Sequence, residues 1–240
     1  MINGVPRILI IRLSAIGDVV RVLPAVHSLR NRYPMAQIDW VVEQKSYEIL
    51  SGHPALDQIH VFDRGGNTPH SVGSFLELCR TIRAQRYDWV LDFHGIFKTG
   101  LLTLASGAGL RYGFSRPRSQ ELSFLTTNRR VALPSKFMNR IEENLELCKV
   151  LEAKCHSLDV VIDIPEEVDD TIDAYFHKVF HGAKKVIALH APVDRPEKQW
   201  PLEYYAELAE MIMSDGRYEV LLTWGPGQRA TVNRLIKLIH

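Results

Sequence analysis

Short apolar runs alternate along this chain with longer segments whose apolar residues recur every three to four positions. The runs at residues 8–13, 38–42, 58–62, 89–93 and 110–114 are rich in isoleucine, valine and aromatic side chains. They are too short for long helices, so they predict strands of a parallel sheet covered on both faces. Helical spacing occupies residues 18–33, closed by Pro34, and then 45–50, 74–85, 99–105 and 140–152. Such alternation predicts an α/β fold with a doubly wound parallel sheet. After an apolar segment at 160–164 that stops at Pro165, a second series begins. It reads as a strand at 185–189, a helix at 201–214, a strand at 220–224 and a helix from Gln228 onward. The expected domains are therefore 1–165 and 166–240. Two strands with two or three helices cannot cover both faces of a sheet, so the second domain reads as truncated, and its open edge predicts self-association.

Composition changes this picture little: 46% of the 240 residues are hydrophobic, enough for a sizeable core, and a formal net charge of +1 gives no reason to expect a nucleic-acid partner. The distribution of charge says more. Residues 111–140 hold seven basic side chains against the single acid Glu121, which suits an anionic ligand. Residues 142–173 reverse this, with eleven acids against Lys149 and Lys154, the pattern of a solvated helix and connector. Cys79, Cys148 and Cys155 have no metal-ligand spacing, which predicts reduced thiols in a cytoplasmic chain and no zinc site. The start Met1-Ile2-Asn3-Gly4-Val5-Pro6 lacks a signal-peptide pattern, and no apolar run has the length of a membrane span. Any membrane role is expected to be peripheral.

Candidate chemistry gathers where strands hand over to helices, because ligands in open α/β sheets bind off the carboxyl ends of the strands. Asp18 follows the first strand through the turn Ser14-Ala15-Ile16-Gly17, where a carboxylate can act as a base in a cleft. A plain helix cap is an equally good reading from spacing alone. The segment Asp92-Phe93-His94-Gly95-Ile96-Phe97-Lys98 ends the fourth strand on the same side, with Lys98 facing the cleft or simply solvated, and His94 a satisfied structural histidine or a participant. The segment from His190 to Pro201 carries Arg195 and Lys198 in front of a helix N-terminus, a combination suited to a pyrophosphate and equally compatible with a charged surface loop. In Trp224-Gly225-Pro226-Gly227-Gln228 the glycines permit close backbone approach to a ligand or serve turn geometry alone. The nicotinamide fingerprint is absent, which disfavours a dinucleotide oxidoreductase, and a P-loop and a nucleophile elbow are absent as well.

Five motifs in this order, 14–18, 39–43, 92–98, Lys198-Gln199-Trp200-Pro201 and Trp224-Gly225-Pro226-Gly227, resemble glycosyltransferase family 9, the bacterial ADP-heptose:lipopolysaccharide heptosyltransferases. The resemblance implies the GT-B arrangement of two Rossmann-like domains and inverting transfer of a heptose from ADP-heptose to the lipopolysaccharide inner core. It assigns Asp18 as general base, and Lys198, His190, Arg195, Trp224, Gly225, Gly227 and Gln228 to the donor. Ser14, Gly17, Lys98, Arg111, Arg116 and Arg118 go to the anionic acceptor. It implies no metal and no cofactor besides the nucleotide-sugar substrate, no nucleic acid, and a cytoplasmic location with peripheral contact at the inner face of the inner membrane. Family members continue into further strands beyond the Trp224 turn, which leaves a second reading: a truncated, catalytically silent, acceptor-binding member of the same family.

Overall fold

The computed structural model describes residues 5–63, 68–155, 158, 160–180 and 185–240. Residues 1–4, and Asp159 in the acidic stretch, both read above from sequence, lie outside them. The chain divides into two compact units, Met1–Asp163 and Ile164–His240.

Six strands form the sheet of the first unit: β1 (Arg7–Ile11), β2 (Gln37–Glu43), β3 (Gln58–Phe62), β4 (Trp89–Asp92), β5 (Leu110–Phe114) and β6 (Arg129–Val131). All pair in parallel, in the order β3-β2-β1-β4-β5-β6. The isoleucine-rich β1 shows why this sequence becomes a central strand. Ile8 and Ile10 pack with residues of α2 (Leu23–Arg32) and α5 (Arg140–Lys149), while Leu9 and Ile11 pack on the other face with residues of α3 (Thr68–Gln85) and α4 (Phe97–Ala105). All four are fully buried, and each such burial contributes about 1.5–3 kcal/mol.

The single helix expected at 18–33 is two. A short helix α1 (Ile16–Val20) stops, and α2 restarts at Leu23 with Pro24 in its first turn. Proline lacks the N–H that a continuous helix needs and its ring crowds the carbonyl four residues back, so Pro24 opens a helix rather than lying inside one. The expected helix at 45–50 is a 3-10 turn, Gln44–Ile49. Strand β6 had no apolar signal: it is a three-residue edge strand, and edges tolerate the exposed Arg129 and Arg130.

In the second unit α6 (Glu166–Val179) comes from the acidic stretch, with Glu166, Glu167 and Asp169 in its first turn complementing the helix dipole. It is solvated as expected and buries no residue. Val168, Ile172, Tyr175 and Val179 are exposed along it. Strands β7 (Lys185–His190) and β8 (Tyr218–Thr223) pair in parallel, flanked by α7 (Leu202–Ser214) and α8 (Arg229–Ile236). Ala191, Ala206 and Leu235 form their small core. Among the described residues no helix is long and apolar enough to cross a membrane.

Candidate active site

In the first unit β1 and β4 are neighbours whose chains leave in opposite directions, β1 toward β2 and β4 toward β5. This is the topological switch point, where the loops part and leave a crevice at the carboxyl ends. Asp18 enters from the β1 side in the first turn of α1. It is not the cap of that helix: the N-cap is Ala15, and the Asp18 carboxylate is gripped by two arginines. Arg12 Nη2 lies 2.5 Å from Oδ2 and Arg21 Nη1 lies 3.0 Å from Oδ1. Burial acts to raise the Asp18 pKa, but the charges and hydrogen bonds of Arg12 and Arg21 outweigh it and hold the carboxyl below the usual range. Gly17 is not needed for a special backbone angle, since it sits inside α1. What it leaves is open space, with nothing within 4 Å of where a Cβ would be.

Arg12 is itself fixed from several sides. Its guanidinium donates to the Phe93 carbonyl at 3.0 Å, and the Trp40 indole N–H donates to the Arg12 carbonyl at 3.0 Å. The tryptophan of the 39–43 motif thus acts by positioning Arg12. His94 arrives from the β4 side, where its Nδ1 accepts from the Leu13 N–H at 3.4 Å. Burial, then the charges of Arg12 and Arg118, push the His94 pKa down to about 3 despite the opposing pull of Asp18, so the ring is neutral. Asp92 is a structural acid. Its carboxylate accepts from the N–H groups of His94 and Gly95 and from the Thr99 hydroxyl, and burial outweighs these bonds to raise its pKa. At Gly95, φ is +73°, a left-handed conformation that glycine adopts without strain, so the residue suits the conformation of this turn.

The basic segment separates into different roles. Arg118 donates to the carbonyls of Phe93 and His94 and to Glu143, joining the site to α5. With Arg116, Lys136 and Arg140 it lines a cavity of about 530 Å³. Arg111 is not brought there. It lies near the amino end of β5, bonded to the carbonyls of Ala108 and Thr126. Lys98 lies 5.0 Å from the centre of the Phe62 ring, and Ser14 is half-buried in the turn before α1. A larger cavity, of about 790 Å³, runs along α5 to Cys155 and contains none of the candidate residues.

The second unit brings its candidates to the carboxyl ends of β7 and β8. His190 and Thr223, paired in register, share a side-chain hydrogen bond of 3.1 Å. Gln228 ties the two loops together: Oε1 accepts from the Gly225 N–H and Nε2 donates to Asp194 Oδ1, both at 2.9 Å. Gly227 has φ +81° and starts the turn into α8. Gln199 donates to the carbonyls of Ala191 and Trp200, seating Trp200 edge-on to Tyr205 at 4.7 Å. Lys198 and Arg195 are exposed, and their side chains make no hydrogen bond or ion pair among the described residues. Trp224 is half-exposed. This arrangement offers two mobile cations, an aromatic face and free backbone N–H groups at the start of α7, which can hold a nucleotide phosphate.

Arg12, Arg21 and His94 are the members of the site that motif reading did not assign. Arg12 carried a signal, as the one charge that interrupts the apolar run at 8–13. Against known proteins, the glycosyltransferase family 9 (heptosyltransferase) profile matches residues 75–240. The chain is 27% identical to lipopolysaccharide heptosyltransferase 1 of Salmonella typhimurium, over 95% of this chain and 72% of that protein. Across the curated relatives of that name and OpsX of Haemophilus influenzae, it spans 64% to 72% of their length. Among solved structures it superposes on a family 9 glycosyltransferase from Veillonella parvula with a TM-score of 0.84 and 22% identity, covering 98% of this chain and 67% of the other. It also superposes on the Escherichia coli heptosyltransferase WaaC with ADP, with a TM-score of 0.68 and 25% identity, covering 96% and 71%. A parallel α/β fold of the GT-B type and a profile match over most of its length make this chain a member of glycosyltransferase family 9.

Proposed function

We propose that this chain carries out inverting transfer of a heptose from ADP-heptose to the anionic inner core of lipopolysaccharide, with Asp18 as general base. The observation that carries the reading is the Asp18 carboxylate at the β1/β4 switch point, kept ionised by Arg12 and Arg21 and reached over an open Gly17. An acceptor hydroxyl attacks the anomeric carbon and passes its proton to Asp18. The bond from that carbon to the pyrophosphate oxygen breaks, and ADP leaves with the electron pair. Because the centre is oxocarbenium-like, the hydroxyl proton becomes acidic as the new bond forms, so a carboxylate of low pKa suffices. The acceptor side falls to the first unit, where Arg116 supplies a fork for phosphates and acidic sugars, and Arg118, whose nitrogens are engaged by Phe93, His94 and Glu143, contributes positive charge to the cavity wall. The donor side falls to the second, where Lys198, Arg195 and the start of α7 offset the charge that develops on the leaving group. The WaaC structure with ADP, and a second with ADP-2-deoxy-2-fluoro heptose, support a nucleotide-sugar donor.

Calorimetric titration of ADP and ADP-heptose, together with a transfer assay, tests this. Expected are binding that weakens in Lys198→Ala, and turnover that disappears in Asp18→Ala while binding stays. Binding without turnover in the unsubstituted chain favours the silent acceptor-binding reading.

A further inference from the structure

His94 enters the crevice from the β4 side, and three of its four polar groups are taken up by the fold. Its backbone N–H donates to Asp92 Oδ1 at 2.9 Å, its carbonyl accepts from Arg118 at 3.2 Å, and its Nδ1 accepts from the Leu13 N–H at 3.4 Å. A neutral imidazole that accepts at one nitrogen carries its proton on the other, so the bond from Leu13 fixes the Nε2–H tautomer. That N–H is the remaining polar group. It has no hydrogen-bond partner among the described residues, and it is not sealed off, for the ring is only half-buried.

The surrounding charges decide what this N–H can do. Burial first, then the positive charges of Arg12, Arg118 and Lys98, outweigh the pull of Asp18 and keep the ring uncharged. A charged imidazolium here would compete with Arg12 and Arg21 for the Asp18 carboxylate. His94 cannot serve as the base either, because its one in-plane lone pair is at Nδ1 and faces the Leu13 N–H. The crevice therefore holds a fixed neutral donor together with an ionised carboxylate. Such a pair suits a polyol, in which one hydroxyl gives its proton to the carboxylate while a neighbouring oxygen accepts from the N–H. An anionic group is better met in the cavity whose wall carries Arg116, Arg118 and Lys136.

We infer that His94 orients the acceptor, its Nε2–H donating to a hydroxyl oxygen of the acceptor sugar next to the hydroxyl that gives its proton to Asp18. The inference rests on the glycosyltransferase reading and adds a selection rule to it: the acceptor is recognised at an uncharged hydroxyl as well as through its anionic groups.

Two substitutions separate this role from that of a purely structural histidine. In His94→Gln the amide nitrogen falls near the place of Nε2 and keeps the donor. In His94→Asn the amide oxygen can still accept from Leu13, but no donor reaches the crevice. Calorimetry with a de-acylated lipopolysaccharide core that lacks heptose is expected to show affinity lower by about tenfold in His94→Asn and within about twofold of the unsubstituted chain in His94→Gln, with ADP binding unchanged in both. Loss in His94→Gln with retention in His94→Asn overturns the proposal, because the Leu13 contact is then the whole role of the residue. Equal affinities in all three forms, or equal losses in both variants, overturn it as well. Circular dichroism checks both folds, and nitrogen-15 NMR of the unsubstituted chain gives a test that needs no variant. His94 is expected as the Nε2–H tautomer from about pH 5 to 8, with its Nε2 resonance shifting when the core is added. The Nδ1–H tautomer, titration within that range, or an unmoved resonance while the core binds overturns the proposal and leaves the glycosyltransferase reading standing. A core that does not bind the unsubstituted chain overturns both.

Discussion

Arg12 Nη2 and Asp18 Oδ2 lie 2.5 Å apart, joining the buried residue just past the end of β1 to the first turn of the helix that follows. The pair couples the preparation of a catalytic carboxylate to the fold. Arg12 is largely buried and held by the Phe93 carbonyl, so it cannot swing away, whereas Asp18 remains about one-third exposed and accessible to an acceptor.

Asp18→Asn keeps the shape and removes the base. Transfer is expected to fall by roughly 10²–10⁴ with ADP affinity unchanged, and the folded state to lose about 1 kcal/mol, because the site is partly solvated. Since the folded pKa of Asp18 lies below its ordinary value, the carboxylate adds stability above that value and loses it as pH falls through the depressed one. The acid limb of kcat/KM is therefore expected below the usual carboxylate range, which a pH–rate profile checks.

Gln228 bridges Gly225 and Asp194 with one donor and one acceptor. Gln228→Glu places a carboxylate against Asp194, so the bridge becomes a repulsion. ADP affinity is expected to fall by about fivefold or more, with a smaller loss in the Gln228→Glu/Asp194→Asn double variant. Calorimetry on the unsubstituted chain, Gln228→Glu, Asp194→Asn and the double variant measures the coupling.

His53 is buried and neutral, its pKa lowered to about 4 by burial and by neighbouring His27. Its unfolded value is near 6.5, so the unfolded chain takes up a proton first and stability falls as pH drops from 6.5 toward 4. An asparagine side chain at this position can still accept from the Ala55 N–H, as His53 Nδ1 does at 3.2 Å. His53→Asn is expected to reduce the slope of stability with pH in that window by up to about 1.4 kcal/mol per pH unit, read from urea midpoints at several pH values.

Gly113 in β5 leaves room for Thr127: a Cβ there would lie 2.6 Å from Thr127 Cγ2. Gly113→Ala is expected to cost about 1–3 kcal/mol by overpacking. Thr127→Ser removes the colliding methyl and should restore most of that loss, which thermal denaturation of the single and double variants resolves.

The sequence by itself determined the alternation of the main strands and helices, because strand and helix periods are local and β1, β3 and β5 announce themselves by short runs of branched and aromatic residues. It also placed Asp18, Lys198 and Gln228 at turns where strands end. The break at Pro24 was local too, yet it was masked by apolar spacing that runs on through it. Strand β6 carried no apolar signal, because an edge position lets Arg129 and Arg130 face solvent. Only the tertiary structure decided that Arg12, His94 and Arg118 converge on the Asp18 crevice while Arg111 turns to the far end of its strand. Convergence of that kind depends on strand order and on which end of a strand a side chain occupies, and both are fixed by pairing between residues some eighty positions apart, as Ile11 pairs with Asp92.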